Sequence, residues 1–309
     1  MATTNTVTTS YNGQYAGEII SKALLTATTI DNGLITLKPN VKYKAILKRI
    51  VTGSLLSADG CDFDASSSVD FDERELEVKQ LKVNLQICKS DFEDDYLALQ
   101  MGDSSHNNIP SSFAQYLIED VQKRIAQEME IAIWQGDDGV NTIEGFEAKF
   151  AADATVIDVA ADVAGISADN VVEELGKVVD AIPTNLITSP DLHIYVASNV
   201  ARAYVRALGG FGAAGLGAAG TDSKGNQWFN GQALSFDGIK IVVANGLSTG
   251  KMVAALKSNL YFGTSLMADH NEVKTIDMSP IDGSRNVRFV MRMSAGVQYG
   301  FGAEVVYYA

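Results

Sequence analysis

Carboxylates supply the densest concentration of reactive side chains in this chain. Asp59, Asp62, Asp64, Asp70, Asp72, Glu73, Glu75 and Glu77 lie in one acidic run, and Asp91, Glu93, Asp94 and Asp95 follow it. Oxygens at two- and three-residue steps suit a hard cation such as calcium. The order Asp59, Asp62, Asp64 lacks the glycine and the terminal glutamate of an EF-hand loop, so no calcium site is expected. The second cluster has no nucleophile beside it and reads as a solvated turn. His106, His193 and His270 stand far apart and form no H-x-x-x-H pair. Two thiols, Cys61 and Cys88, in so long a chain point to a reducing compartment and no disulfide framework. The run GGFGAAGLGAAG at 209–220 holds two overlapping G-x-G-x-x-G matches, Gly210, Gly212, Gly215 and Gly215, Gly217, Gly220. That motif holds a pyrophosphate where it joins a strand to a helix. Here it follows a helical pattern and leads into TDSKGNQWF, so it reads as a loop. Neither G-x-S-x-G nor a P-loop occurs. The expected catalytic, cofactor-binding and metal-ligating residues are therefore none.

What remains is the chemistry of surface charge. Lys42, Lys44, Lys48 and Arg49 form a basic block, and Asp70, Asp72, Glu73, Glu75 and Glu77 form an acidic one. Opposite blocks on one element suit docking between subunits, where they set register more than affinity. These nine residues are the candidate inter-subunit contacts.

Both blocks belong to a candidate β-ribbon. Residues 41–51 (VKYKAILKRIV) and 78–88 (VKQLKVNLQIC) read as its strands, and the second alternates Leu81, Val83, Leu85, Ile87 against Lys82, Asn84, Gln86. Residues 52–77 between them read as a long tip rich in Gly, Ser and Asp. A two-stranded ribbon cannot bury both faces, so it must pack on something else, such as another subunit.

The ribbon leads to one long helix at residues 112–136. Ser112 and Gln115 make a capping-box pair behind Pro110. Ala114, Leu117, Ile118, Val121, Ile125, Met129 and Ala132 form one apolar stripe, with Asp120, Lys123, Arg124 and Glu128 off it. After it, residues 154–260 read as an α/β lobe. A helix is expected from Ser167 with Val171, Leu175, Val178 and Ile182 inward, and another from Ser198 to Leu208. LHIYVA, IKIVVA and MVAAL are its expected strands. From Asn259 the chain reads as β to its end, with Val287, Phe289, Met291 and Met293 alternating against Arg288, Val290 and Arg292. That stretch is expected to form a sheet against the long helix.

A hydrophobic share of 46% allows a sizeable core. No apolar run reaches the length of a membrane helix, and the N-terminus has no secretory signal pattern. A formal charge of −14 disfavours broad binding to a nucleic-acid backbone.

The order of these parts resembles the major capsid proteins of tailed bacteriophages, the Hong Kong 97 type. Beyond the order, the likeness rests on IWQGDDGVNTIEGF after the helix and on LHIYVASNVARAYVRAL running through a Gly-rich loop into DSKGNQWF. It rests also on FDGIKIVVANGL followed by LYFGTSL. The resemblance implies an α+β fold. Its parts would be an N-terminal arm (1–39), an extended β-ribbon or E-loop (40–89) and a peripheral domain (90–153 and 257–309) with the spine helix at 112–136. An axial domain (154–256) would be inserted between them. It implies a virion shell subunit that forms homo-pentamers and homo-hexamers around double-stranded DNA, assembled in the host bacterial cytoplasm. Scaffold, portal and decoration proteins would be its partners, with no membrane. The chain starts almost at the arm, as in members assembled with a separate scaffold or none. An encapsulin-type compartment shares this fold and is the alternative; a soluble enzyme with dispersed residues is the third reading.

Overall fold

The computed structural model describes residues 9–11, 28–53, 69–88, 111–137, 143–161, 165–208, 234–265 and 273–309. The elements are β1 (Thr9–Tyr11), α1 (Thr28–Asp31), β2 (Thr36–Lys38), β3 (Lys44–Thr52), β4 (Val69–Glu77), β5 (Lys79–Cys88), α2 (Ser111–Gln135) and α3 (Phe146–Ala152). They continue with β6 (Ile157–Val159), α4 (Val171–Asp180), β7 (Leu192–Val196), α5 (Ser198–Leu208), β8 (Ser235–Phe236), β9 (Ile239–Val243) and β10 (Met252–Leu256). Last come β11 (Leu260–Thr264), β12 (Val273–Asp277), α6 (Ser279–Asp282), β13 (Asn286–Tyr299) and β14 (Val306–Tyr308).

β13 is the axis of the first sheet. It pairs antiparallel with β12, with β5 and, at its far end, with β11; β1 extends the β12 edge and β2 joins β11 in parallel. Strict alternation explains its length. Val287, Phe289, Met291 and Met293 are buried, while Arg288 and Arg292 face out. β5 lies in register with the same parity: Leu81, Val83 and Ile87 pack inward and Lys82, Asn84 and Gln86 point out, as the alternation predicts, but Leu85, expected on the inward face, is 37% exposed.

The second sheet runs β6-β14-β10-β7-β9-β8. All five residues of β7 are buried, as a strand covered on both faces requires. Helices α4 and α5 cover it through Val171, Leu175 and Val178 and through Val200 and Tyr204. The helix expected from Ser167 begins at Val171, because the Asn170 side chain accepts from the Ser167 N–H at 2.7 Å and closes a turn first. β8 and β9 form a hairpin through Asp237 and Gly238, both with positive φ. The C-terminal stretch divides in a way its strand-like sequence does not reveal. β13 belongs to the first sheet, but β14 enters the second between β6 and β10.

The long helix α2 joins the two sheets. Val121, Ile125, Met129 and Ile133 are buried along one line, and Ala126, Glu130 and Trp134 widen it. Lys123, Arg124 and Glu128 are exposed, as expected; Asp120 and the first turns lie outside the described side chains. Trp134 touches Phe146 and, from the second sheet, Tyr195, each at 5.4 Å between ring centroids. Its Nε1–H donates to Thr29 Oγ1 at 3.0 Å. The Thr29 N–H donates in turn to the Glu130 carboxylate at 3.0 Å, and the Thr29 hydroxyl donates to it as well. No local pattern marks this buried carboxylate, whose partner is 101 residues away.

A candidate subunit-docking surface

The ribbon exists, but its second strand is not the expected one. β3 pairs antiparallel with β4, residues 69–77, from Lys44↔Glu77 to Thr52↔Val69. Residues 79–88 instead pair along β13 in the first sheet. The acidic run read as a loop is therefore half strand. Its carboxylates alternate with Phe71, Arg74 and Leu76, and a ribbon with one wet face tolerates such a sequence. The direct turn from β4 into β5 at Val78 then carries the chain back to the body. The Val78 N–H donates to the Tyr43 carbonyl at 2.9 Å, which closes the root of the ribbon.

Directly opposed residues share a face, so the register sorts the ribbon into two surfaces. Ala45, Leu47 and Arg49 with Arg74 and Leu76 form the inner one. Leu47 and Leu76 are buried against the body. Two glycines admit them. A Cβ on Gly296 of β13 would lie 2.0 Å from the Glu77 carbonyl oxygen, and one on Gly263 of β11 would lie 2.9 Å from the Leu76 side chain. The isolated glycines in YFGT and SAGVQY were the sequence signal for this close crossing. Arg49 donates to the Gly300 carbonyl at 3.2 Å. Arg74 meets Asp153 at 2.5 Å and lies 4.4 Å over the Tyr299 ring.

The outer surface carries Lys44, Ile46, Lys48 and Ile50 opposite Glu77, Glu75, Glu73 and Phe71. Its apolar members are bare: Ile46 is 52% exposed, Ile50 58% and Phe71 74%. Its charges pair across the ribbon. Lys44 lies 2.6 Å from Glu75 and 3.5 Å from Glu77, and Lys48 lies 4.0 Å from Glu73. The Glu75 bond raises the pKa of Lys44. The structure thus divides the nine candidate residues. Lys44, Lys48, Glu73, Glu75 and Glu77 face outward together and Arg49 turns onto the body. Lys42 is exposed in the bend before β3 and lines a cleft with Lys38 and Tyr43. Asp70 and Asp72 sit on β4 at the register positions opposite Val51 and Arg49, and their side chains lie outside the described ones.

A second charged surface lies on the body. The outer face of the first sheet presents Lys82, Arg288 and Arg292 with Asn84 and Gln86, all exposed. Arg292 and Lys82 are direct cross-strand neighbours, an arrangement that costs stability for like charges. Among the described residues of β5, β12 and β13, none on this face is a carboxylate. The charge of Arg288 is felt by Asp282 at the end of α6, as a minor contribution beside its bonds from Ser284 to the lowering of that carboxyl's pKa. The distal part of the ribbon has the opposite character: residues 50–73 contain six carboxylates and no Lys or Arg.

The residues considered for small-molecule chemistry do not assemble. His193 is buried in β7 with Nδ1 2.8 Å from the Asp191 carbonyl, a structural role. Cys88 ends β5 opposite Asn286. Among the described residues, no three His, Cys, Asp or Glu side chains converge as a metal site would need. His106, His270, Cys61, the Asp59–Asp64 set, the 91–95 cluster and the 209–220 glycines lie outside the described residues.

Two sheets bridged by one long helix, with a ribbon reaching away from both, define a class of fold seen in virus shells. No family model matches the sequence, and no curated protein matches it at the level of sequence. Solved structures do match in fold. The capsid of an empty GTA particle superposes with a TM-score of 0.59 over 93% of this chain and 89% of that one, at 14% identity. The procapsid of satellite phage P4, which includes a size-determination protein, gives 0.57 over 94% and 97%, at 13% identity. A virus-like particle from Pyrococcus furiosus gives 0.51 over 94% and 96%, at 9% identity. The chain therefore has the fold of phage capsid proteins.

Proposed function

We propose that this chain is the shell subunit of a tailed-phage capsid, a Hong Kong 97-type protein that assembles with itself around double-stranded DNA. The observation that carries this reading is the bare outer face of the ribbon. Ile46, Ile50 and Phe71 on a two-stranded element gain burial only against another molecule. In this reading the first sheet with α2 is the peripheral domain and spine, the second sheet is the axial lobe, and head-to-tail contacts close pentamers and hexamers. Scaffold, portal and decoration proteins are its further partners, and the host cytoplasm is where it assembles. The subunit acts as structure, without catalysis.

Charge complementarity supports a site for the ribbon. Its acidic distal part fits the cationic outer face of a neighbour's first sheet, where Lys82, Arg288 and Arg292 await anions. Negative-stain microscopy of the expressed chain tests the function. Closed shells or tubes tens of nanometres across are expected, and discrete small oligomers overturn the proposal. The fold shared with the Pyrococcus particle favours one other outcome, an encapsulin-type compartment. A cargo enzyme co-purifying with closed shells, in place of packaged DNA, would select it.

A further inference from the structure

The chain passes between its two sheets at three places, and the root of the ribbon touches two of them. Residues 153–156 lead out from α3 to β6, residues 257–259 lead back from β10 to β11, and residues 300–305 lead from β13 to β14. Asp153 stands at the first crossing. Its Oδ1 accepts from the Thr155 N–H at 2.9 Å and from the Thr155 hydroxyl at 2.7 Å, while Oδ2 accepts from the Tyr299 hydroxyl at 2.7 Å. Arg74 of the ribbon donates to the same Oδ2 at 2.5 Å and stacks on the Tyr299 ring. Both Arg74 and Asp153 are largely withdrawn from solvent, so the pair is not a screened surface contact.

The third crossing is tied to the same cluster. Arg49 of the ribbon donates to the Gly300 carbonyl and lies 5.5 Å over the Phe301 ring. Gln298 donates to the Glu75 carbonyl at 2.8 Å. Asn259, from the second crossing, accepts from the Gly300 and Phe301 N–H groups at 3.0 and 2.8 Å and donates to the Phe301 carbonyl at 2.8 Å. A Cβ on Gly302 would lie 2.1 Å from Thr155 Oγ1, so the first and third crossings are in direct contact.

We propose that Arg74, Asp153 and Tyr299 form a latch that couples the direction of the ribbon to the seam between the two sheets. A ribbon resting on its body through apolar side chains alone could swing without disturbing the seam. This one is bound through a bidentate-capable guanidinium to the residue that starts one crossing, and through a ring stack to the strand that starts another. Displacing the ribbon must break or drag those contacts, and moving the seam must re-aim the ribbon. The coupling is reciprocal, as any linkage between two elements is.

Hydrogen exchange on dilute, dissociated subunits tests this independently of whether shells form. Arg74→Ala is expected to lower protection at the ribbon root by about tenfold. It should lower protection at 153–157 and 300–306 by several-fold as well. Tyr299→Phe, which keeps the ring and deletes the hydroxyl on the body side, is expected to loosen the ribbon root in return. Arg74→Lys keeps the charge without the planar fork and should fall between, which guards against an Arg74→Ala chain that fails to fold. Lys48→Ala, on the outer face, should change neither region. A seam that keeps its protection while the ribbon loosens overturns the coupling. So does a ribbon indifferent to Tyr299→Phe.

Discussion

The second sheet and the ribbon are built on opposite terms. In the second sheet β7 is buried along its whole length, helices cover it, and the Tyr195 hydroxyl reaches the Leu34 carbonyl at 2.5 Å. In the ribbon only Leu47 and Leu76 are buried among the side chains of β3 and β4 that the structure describes, and three apolar residues, Ile46, Ile50 and Phe71, point into water. Apolar burial is the main driving term of folding, so the first region holds itself and the second is held at its root. The difference separates residues that keep the chain folded from residues that are free for the docking proposed above.

The largest effect on the isolated chain is expected where the long helix meets the second sheet. Trp134→Ala removes a fully buried ring from contact with Phe146 and Tyr195, and it strips the Thr29 hydroxyl of its donor. A loss of about 3–5 kcal/mol is expected, since large-to-small changes in a packed core add a cavity to the lost burial. Chemical denaturation with an unchanged slope would register it as a lower midpoint. A variant of near-native stability would mean that this junction is looser than the ring contacts indicate.

Sequence periodicity reached some of these features and not others. The alternation in 79–88 and 286–293 was legible because one face of each strand is buried and the other wet. The ribbon was legible as an element but mispaired. Asp70, Asp72, Glu73, Glu75 and Glu77 look like loop, since carboxylates are poor strand formers and the two faces of β4 differ little in polarity. An implied loop of some two dozen structureless residues was itself the warning, because compact folds rarely carry one. The latch left no local trace: Arg74 and Asp153 are 79 positions apart, and a lone aspartate after a short helix looks like any turn residue. Glu130 was hidden for the same reason, its partner lying on a distant one-turn helix.

An intermediate effect is expected from pH, acting on the latch. Burial works against the charged form of Asp153. Hydrogen bonds from Tyr299, Thr155 and Arg74 outweigh it and hold the carboxyl well below its ordinary value of 3.8. A depressed carboxylate contributes stability that is fully present above the unfolded pKa and is lost as pH falls through the folded one. The gap in stability between the native chain and Asp153→Asn should therefore be constant near neutrality and narrow below about pH 4. Tyr299 contributes to the alkaline decline, beside Tyr195, Tyr204 and Tyr307, whose hydroxyls burial also raises. Burial, then its bond to Asp153, pushes the Tyr299 hydroxyl up to about 12 from 10.0. The folded state keeps a proton that the unfolded state releases, so stability falls as pH rises from 10.0 towards about 12. Tyr299→Phe should remove that part of the alkaline decline. Thermal melts across both windows check it, and parallel curves for native and variant chains would place neither titration in the latch.

The smallest effect on the subunit should be the largest on assembly. Phe71→Ser and Ile50→Ser remove two apolar side chains that face each other across the outer surface of the ribbon. Both are exposed in the lone chain, so the monomer should change by no more than about 0.5 kcal/mol. If this face is buried against a neighbour, the double variant should fold normally and fail to close shells. Trp134→Ala gives the converse, in which shells are lost because the subunit is lost. Arg292→Glu extends the comparison to the proposed receiving face. It relieves the like-charge pair with Lys82 and should leave the monomer unharmed or slightly stabilised, yet it sets a carboxylate against the acidic ribbon of the next copy. Shell yield measured beside monomer stability separates these cases. Normal shells from the Phe71→Ser, Ile50→Ser chain would put the contacts elsewhere than on the ribbon. Normal shells from Arg292→Glu alone would keep the ribbon as the docking element and move its receptor off the first sheet.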